Sequence, residues 1–454
     1  MEAKVLEIQD KTKNCELDIA RLSDFRYREG AVVDAKVILD HPQTTLYCVD
    51  DDHRQAVFVE SPPELDLSQR PFYFIEQYKH AQRLLTVSYQ TLHELAAVAG
   101  VRFQRLIPMQ SVGRCGGTLL SRALNRLNTV FSLDEPDFFT NVAMTRPDNG
   151  SRDAELTALL RSGTQLMYRP MKPGVDTLLL KFRPFAIKGG DLMYQAFPDA
   201  KSIFLYRNAE TWARSVGRSI QAVFESQPAD AGTDSTLELL RMMDLFRSAP
   251  PVAPAAPRAA SSGRKSDVNA LRRTMPALVP FIRQNVVKQM EGSERRKLLW
   301  LVIAQRLPIL RSRSQSPTEF LRPFLHKVPP MKVLTVMWVS MLQRYLAFHK
   351  KGIPILALQY ETLAAEPEAV LRTLFEYWGL AADQVPRALG AFAEDSQKGT
   401  LLSRDRVGSA TRGGLDPEWL AQMREVLQSY PEVSKPDVVL PNSVTVPRAS
   451  RTAS

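Results

Sequence analysis

Cysteine is scarce in this chain of 454 residues: Cys15, Cys48 and Cys115 are all it has. Three thiols so scattered support neither a disulfide framework nor a cysteine metal site, and they fit a reducing compartment. Histidine is nearly as rare, at positions 41, 53, 80, 93, 326 and 349. Long apolar runs are missing too. The longest, Leu298 to Ile303, is far too short to cross a bilayer. No basic leader precedes an apolar stretch at the start, where MEAKVLEIQDK is mixed and polar. The expectation is a cytoplasmic chain without a membrane span. With 44% hydrophobic and 24% charged residues, the composition is that of an ordinary globular protein. Its net charge of +10 is concentrated. Residues 258–327 hold fifteen Lys/Arg against four acids, and the rest of the chain is near neutral.

What is present begins with residues 106–135, LIPMQSVGRCGGTLLSRALNRLNTVFSLDE. An apolar strand-like run, Leu106 to Met109, enters the small-residue loop Gly113-Arg114-Cys115-Gly116-Gly117-Thr118. A helix follows with an apolar stripe of Leu119, Leu120, Ala123, Leu124 and Leu127. Strand, glycine loop and helix in that order aim backbone N–H groups and a helix dipole at one anion. The same residues also suit a plain tight turn. No Gly-Lys-Ser/Thr ending supplies the lysine and hydroxyl that ATP-Mg requires.

Residues 202–219, SIFLYRNAETWARSVGRS, read as a buried strand, a polar turn and a helix. Arg207 stands at the strand's end and Ser215 follows eight positions later. Ligands collect at the carboxyl ends of strands in open parallel sheets, where an arginine and a hydroxyl can grip a second phosphate. The alternative is an arginine that caps its own helix or pairs with Glu210. In TLLLKFRPF, residues 177–185, Lys181 ends another apolar strand, where a solvated strand-end lysine is the plain reading.

Together these segments resemble the sulfotransferase family that uses 3′-phosphoadenosine 5′-phosphosulfate (PAPS). The family's first motif, Pro-(Lys/Arg)-Ser-Gly-Thr-Thr, corresponds to Gly113 through Thr118, and its Arg-Asn-Pro run with a serine eight residues on corresponds to Arg207-Asn208-Ala209 and Ser215. A third likeness is ILALQYETLAAEPEAVLRTLFEYWGL, residues 355–380, similar to the family's strand ending in Tyr-Glu-Asp-Leu. The resemblance covers roughly residues 101–224 and 331–412. It implies an α/β fold, a central parallel β-sheet flanked by helices, with PAPS as donor, 3′,5′-ADP as product and no metal. Gly113, Arg114, Cys115, Gly116, Gly117, Thr118 and Leu119 would hold the 5′-phosphosulfate, Arg207 and Ser215 the 3′-phosphate, and Tyr360 the adenine. Gly113, Cys115 and Gly117 depart from the family's proline, serine and first threonine, and Ala209 from its proline; none of these changes removes a charge.

Sulfuryl transfer needs in-line geometry, cations on the equatorial oxygens and a base for the acceptor hydroxyl. Arg114 and Lys181 are the cations. Two residues past Lys181, where one branch of the family places a histidine base, stands Arg183, which cannot take a proton at neutral pH. Another branch uses a glutamate shortly after the first helix. Here SLDEP, residues 132–136, supplies Asp134 and Glu135, with Glu135 the leading base and Asp134 next in line. The same pair could be a loop turn before Pro136. Cys115, beside an arginine at a helix start, could be a nucleophile, but no histidine partner is evident, so it reads as a loop residue. In residues 395–414, DSQKGTLLSRDRVGSATRGG, Lys398, Gly399, Ser403 and Arg404 match by position and composition a family loop that closes over the nucleotide; a surface loop is the alternative.

Around that core, residues 1–100 read as a small α+β accessory region with a hairpin over 45–60 and a helical stretch over 72–99, packed on the core or forming a dimer surface. Residues 225–330 form a basic helical insertion or cap containing a Pro/Ala/Ser linker at about 248–266 that we expect to be disordered. A helix over 331–350 and the strand 353–360 resume the core to 435, and 436–454 is a tail without a core pattern. Two other functions compete: an ATP-dependent phosphotransferase, and a non-catalytic nucleotide or nucleic-acid binder. Nucleic acid is disfavoured because the basic segment lacks interleaved aromatics. The implied acceptor is a small molecule whose identity, like the oligomeric state, is not legible.

Overall fold

A computed structural model of the chain describes residues 1–13, 16–67, 70, 72–147, 149–169, 174–225, 290–293, 296, 329–396 and 417–446. The linker at 248–266, nearly all of the basic insertion, and Lys398, Gly399, Ser403 and Arg404 lie outside the described residues. The chain divides into two compact units. One comprises Met1–Ala222, Arg344–Gly414 and Asp437–Ser454; the other comprises Val223–Gln343 and Leu415–Pro436. Among the described residues no helix is long and apolar enough to cross a membrane.

The first unit holds two sheets. The N-terminal sheet contains β1 (Glu2–Lys11), β2 (Phe25–Asp34), β3 (Thr44–Asp50), β4 (Gln55–Glu60) and β5 (Arg83–Ser88), in the order β2-β1-β5-β4-β3 with every pair antiparallel. The hairpin expected over 45–60 is β3 and β4. The helical stretch expected over 72–99 is not continuous: a helix over Tyr73–His80 gives way to β5, and a second helix spans Tyr89–Ala99. Its centre, Arg83-Leu84-Leu85-Thr86-Val87-Ser88, is claimed by β1 on one side and β4 on the other. Ser88 then starts the next helix, its side chain accepting from the Thr91 backbone N–H. Leu85, Phe58 and Val5 of this sheet share one apolar cluster with Leu106, Leu133 and Leu178 of the second sheet. The N-terminal region therefore packs on the core rather than standing apart as a module.

The second sheet is the one the motifs lead to. It comprises β6 (Arg105–Ser111), β7 (Val130–Asp134), β8 (Thr177–Lys181), β9 (Ser202–Tyr206) and β10 (Ile355–Gln359). All are parallel, in the order β10-β9-β6-β8-β7. Strands buried on both faces read as continuous apolar runs, and β8 and β9 are buried at every position. The chain leaves β6 toward β7 and β8 on one side, then crosses to β9 and β10 on the other. This makes the carboxyl end of β6 a topological switch point, where such folds bind ligands. The α/β sheet flanked by helices that the resemblance implies is the one present.

Register brings the site together. Lys181 lies opposite Met109 of β6 and Asp134 of β7, so the ends of three strands meet at one level. Tyr206 pairs with Gln359, which sets Arg207 and Tyr360, the next residue on each chain, side by side.

The tail differs from expectation. Residues after 436 supply core contacts: Leu440 and Val444 are buried, and the Ala357 N–H donates to the Asn442 carbonyl while the Val444 N–H donates to the Ala357 carbonyl. The result is a single parallel bridge on β10. Within the second unit Lys332, in the first turn of the helix Pro330–Lys350, and Glu425 of the helix Pro417–Gln428 form an ion pair of 2.6 Å.

Candidate functional site

The loop after β6 is built from residues with left-handed backbone. Gly113, Arg114 and Gly116 have φ of 73°, 51° and 84°. Such a run turns successive N–H groups to one side, a concavity suited to an anion. At Gly116 a Cβ would also come within 2.8 Å of the Tyr360 ring, so glycine is required twice over. The helix Gly117–Asn125 follows at once. Its first bond runs from the Leu120 N–H to the Gly116 carbonyl, leaving the amides of Gly117, Thr118 and Leu119 at its head without intrahelical acceptors.

Trp212 pins the loop. Its indole N–H lies 3.1 Å from both the Val112 and Gly113 carbonyls, and its ring is buried. Trp212→Phe keeps most of the packing but strands those two acceptors, at a cost of about 1–3 kcal/mol. The expected result is a lower melting midpoint and weaker binding of whatever anion the loop holds, read by thermal unfolding with and without 3′,5′-ADP.

Lys181 reaches the foot of the loop from β8. Its ammonium donates to the Thr118 hydroxyl at 2.9 Å and sits 3.3 Å from Asp134 and 3.1 Å from Glu135. The lysine is 3% exposed. Burial works against its charge, but the two carboxylates outweigh burial and hold the pKa above the ordinary lysine value. The solvated strand-end alternative is thereby excluded.

The two acids are not equivalent. Asp134, at the end of β7, is buried and accepts hydrogen bonds from the Ser121 and Ser132 hydroxyls as well as meeting Lys181. Glu135 leaves the strand with a left-handed φ of 64°, an uncommon and strained conformation for a glutamate, costing on the order of 1–3 kcal/mol. Its N–H donates to the Lys181 carbonyl at 2.7 Å, and that bond helps hold the strained turn. The turn leaves the Glu135 side chain 17% exposed, against 6% for Asp134.

On the other side of the loop stands the arginine pair. Arg114 Nε donates to the Ser215 hydroxyl at 3.2 Å, and Arg207 donates to the Arg114 carbonyl at 3.2 Å. Arg207 also donates from Nε to Thr211 at 3.0 Å and lies over the Tyr360 ring, 4.4 Å from its centroid. Tyr360, which the resemblance sets against adenine, thus contacts both Gly116 and Arg207. Arg114, Lys181, Thr118, Glu135, Arg207, Ser215 and Tyr360 all gather at the carboxyl ends of β6 to β10. Arg207 also meets the Glu361 carboxylate, 3.8 Å from its Nε.

Cys115 is a loop residue. It is 1% exposed, its thiol donates to the Leu205 carbonyl at 3.4 Å, and burial pushes its pKa up to about 11. A protonated, inaccessible thiol is no nucleophile at neutral pH. Arg183 is committed elsewhere. It makes a two-bond pair with buried Asp137 at 2.9 and 3.1 Å, donates to the Leu17 carbonyl at 2.6 Å and lies over the Phe74 ring. Asp137 also accepts the Ala20 N–H at 2.8 Å, so this pair clamps the loop between β1 and β2 onto the core. Sequence reasoning missed Asp137 and its clamp. The signal was three acids within four residues, Asp134, Glu135 and Asp137, directly after a strand.

Two solved sulfotransferases are similar to this chain. The one from Alicyclobacillus acidocaldarius is 14% identical, covering 72% of this chain and 91% of that protein, with a TM-score of 0.31. The one from Mycobacterium avium is 12% identical, covering 75% and 81%, with a TM-score of 0.35. No protein-family model matches, and no curated protein matches. At such TM-scores the likeness carries no argument, and the functional case rests on the residues themselves.

Proposed function

We propose that this chain is a sulfotransferase that moves a sulfuryl group from PAPS to a hydroxyl or amine of a small acceptor, with Glu135 as general base. The carrying observation is the buried ammonium of Lys181, held at the foot of the glycine loop by Thr118, Asp134 and Glu135. Two guanidinium groups lie on the neighbouring rim: Arg114 bonded to Ser215, and Arg207 bonded to the Arg114 carbonyl. This donor set, three cations and two hydroxyls around left-handed loop amides, suits a nucleotide carrying phosphates at both ends. When bound, the nucleotide would supply the sulfuryl group and its leaving phosphate.

In this reading the loop from Gly113 to Leu119 binds the 5′ end and Arg207 with Ser215 binds the 3′-phosphate. Arg114 and Lys181 stabilise charge without giving up protons. Glu135, 3.1 Å from Lys181, accepts the proton of the acceptor at its carboxylate. Lys398, Gly399, Ser403 and Arg404 are carried as further nucleotide ligands on sequence alone.

An ATP-dependent phosphotransferase is the rival. Thermal unfolding separates them: 3′,5′-ADP raises the melting midpoint without Mg²⁺, and ATP-Mg does little. A larger shift with ATP-Mg would give the site to the rival.

A further inference from the structure

Glu361 occupies the region where Arg207 is expected to meet a phosphate, and its carboxylate has gathered the partners an anion takes there. One oxygen accepts the Asn208 backbone N–H at 3.3 Å. The other accepts the Thr211 hydroxyl at 2.7 Å and lies 3.8 Å from Arg207 Nε. Thr211 is itself the acceptor for Arg207 Nε, so a relay runs from guanidinium to hydroxyl to carboxylate. Asn208 sits at the head of the Ala209–Glu225 helix, where its side chain accepts the Glu210 N–H at 2.9 Å. A backbone donor at a helix start, a hydroxyl and a guanidinium make up a set of anion ligands, and the protein's own glutamate is using it.

We propose that Glu361 is an internal counter-ion of the 3′-phosphate subsite. Through Thr211 it holds Arg207 over the Tyr360 ring, and by its charge it weakens the hold on a 3′-phosphate and speeds the departure of the spent nucleotide. This inference rests on the nucleotide reading of the site. It makes Glu361 a positioning residue that acts through Arg207, and it sets how strongly the protein distinguishes nucleotides with a 3′-phosphate from those without one. The side chain is 37% exposed, so its influence is partly screened by solvent and salt.

The test is calorimetric titration of wild type and Glu361→Gln with 3′,5′-ADP and with 5′-AMP. Glutamine removes the charge at nearly the same volume: its oxygen still accepts the Asn208 N–H, and its NH2 donates to the Thr211 hydroxyl in place of the bond that hydroxyl gave the carboxylate. The variant is expected to bind 3′,5′-ADP about three- to tenfold more tightly, with the gain shrinking as salt rises. Its affinity for 5′-AMP is expected to equal that of wild type. Equal or weaker binding of 3′,5′-ADP by the variant overturns the counter-ion role and leaves Glu361 a structural ligand of the turn. An equal gain for 5′-AMP overturns it as well, because the effect would then not belong to the 3′ end. If wild type binds neither nucleotide, the nucleotide reading itself falls, a result distinct from the other two.

Discussion

Glu135→Gln is expected to keep nucleotide binding and lose turnover by roughly 10²–10⁴-fold, the range for removing a general base. The amide fills the same volume and still offers an oxygen to Lys181, but it cannot accept a proton. Lys181 keeps Asp134 and Thr118 as partners, so the buried ammonium is not stranded and the fold persists. The measurement is a pair: titration with 3′,5′-ADP to show an intact subsite, and initial rates of transfer from PAPS to an accepted substrate. Turnover at the wild-type level would move the base to another group. Asp134 is poorly placed for that role, because its oxygens are already occupied by two serine hydroxyls and Lys181.

Arg207→Ala is expected to weaken 3′,5′-ADP binding by about 2–4 kcal/mol, a loss of roughly 30- to 1000-fold in affinity. The guanidinium is half-buried, and its position is fixed on several sides by Thr211, the Arg114 carbonyl and the Tyr360 ring. Little ordering is then required of it when an anion arrives. The same variant is expected to bind 5′-AMP as wild type does. A matching loss for both nucleotides would mean that Arg207 supports the loop through its bond to Arg114 and does not meet the 3′-phosphate.

How much of this was legible in the sequence depended on what burial does to a pattern. Strands β6, β8 and β9 are covered on both faces, so LIPM, LLLK and IFLY stand out as unbroken apolar runs. The opposite holds for β1 and β2, whose many partly or fully exposed positions carry charged residues and leave no such run. The stretch from 72 to 99 misled because its apolar spacing satisfies a helical period, while pairing with β1 and β4 decides the strand at its centre. Arg114, Lys181, Arg207 and Ser215 were legible because each follows or ends a recognisable strand or helix at a motif spacing. Thr211 and Glu361 were not, because their contact joins residues 150 positions apart and each alone reads as an ordinary polar side chain facing water. Glu135 was legible as a residue but not as a conformation, since nothing in the letters SLDEP announces a left-handed glutamate.

The bridge between Ala357 and the segment around Ser443 has a bearing on self-association. An outermost strand with free amides and carbonyls is a template on which another polypeptide can zip, and natural proteins blunt such margins. Here the chain's own terminus spends Ala357's N–H and C=O on Asn442 and Val444, midway along β10. That margin of the parallel sheet is therefore stoppered by the same molecule that made it.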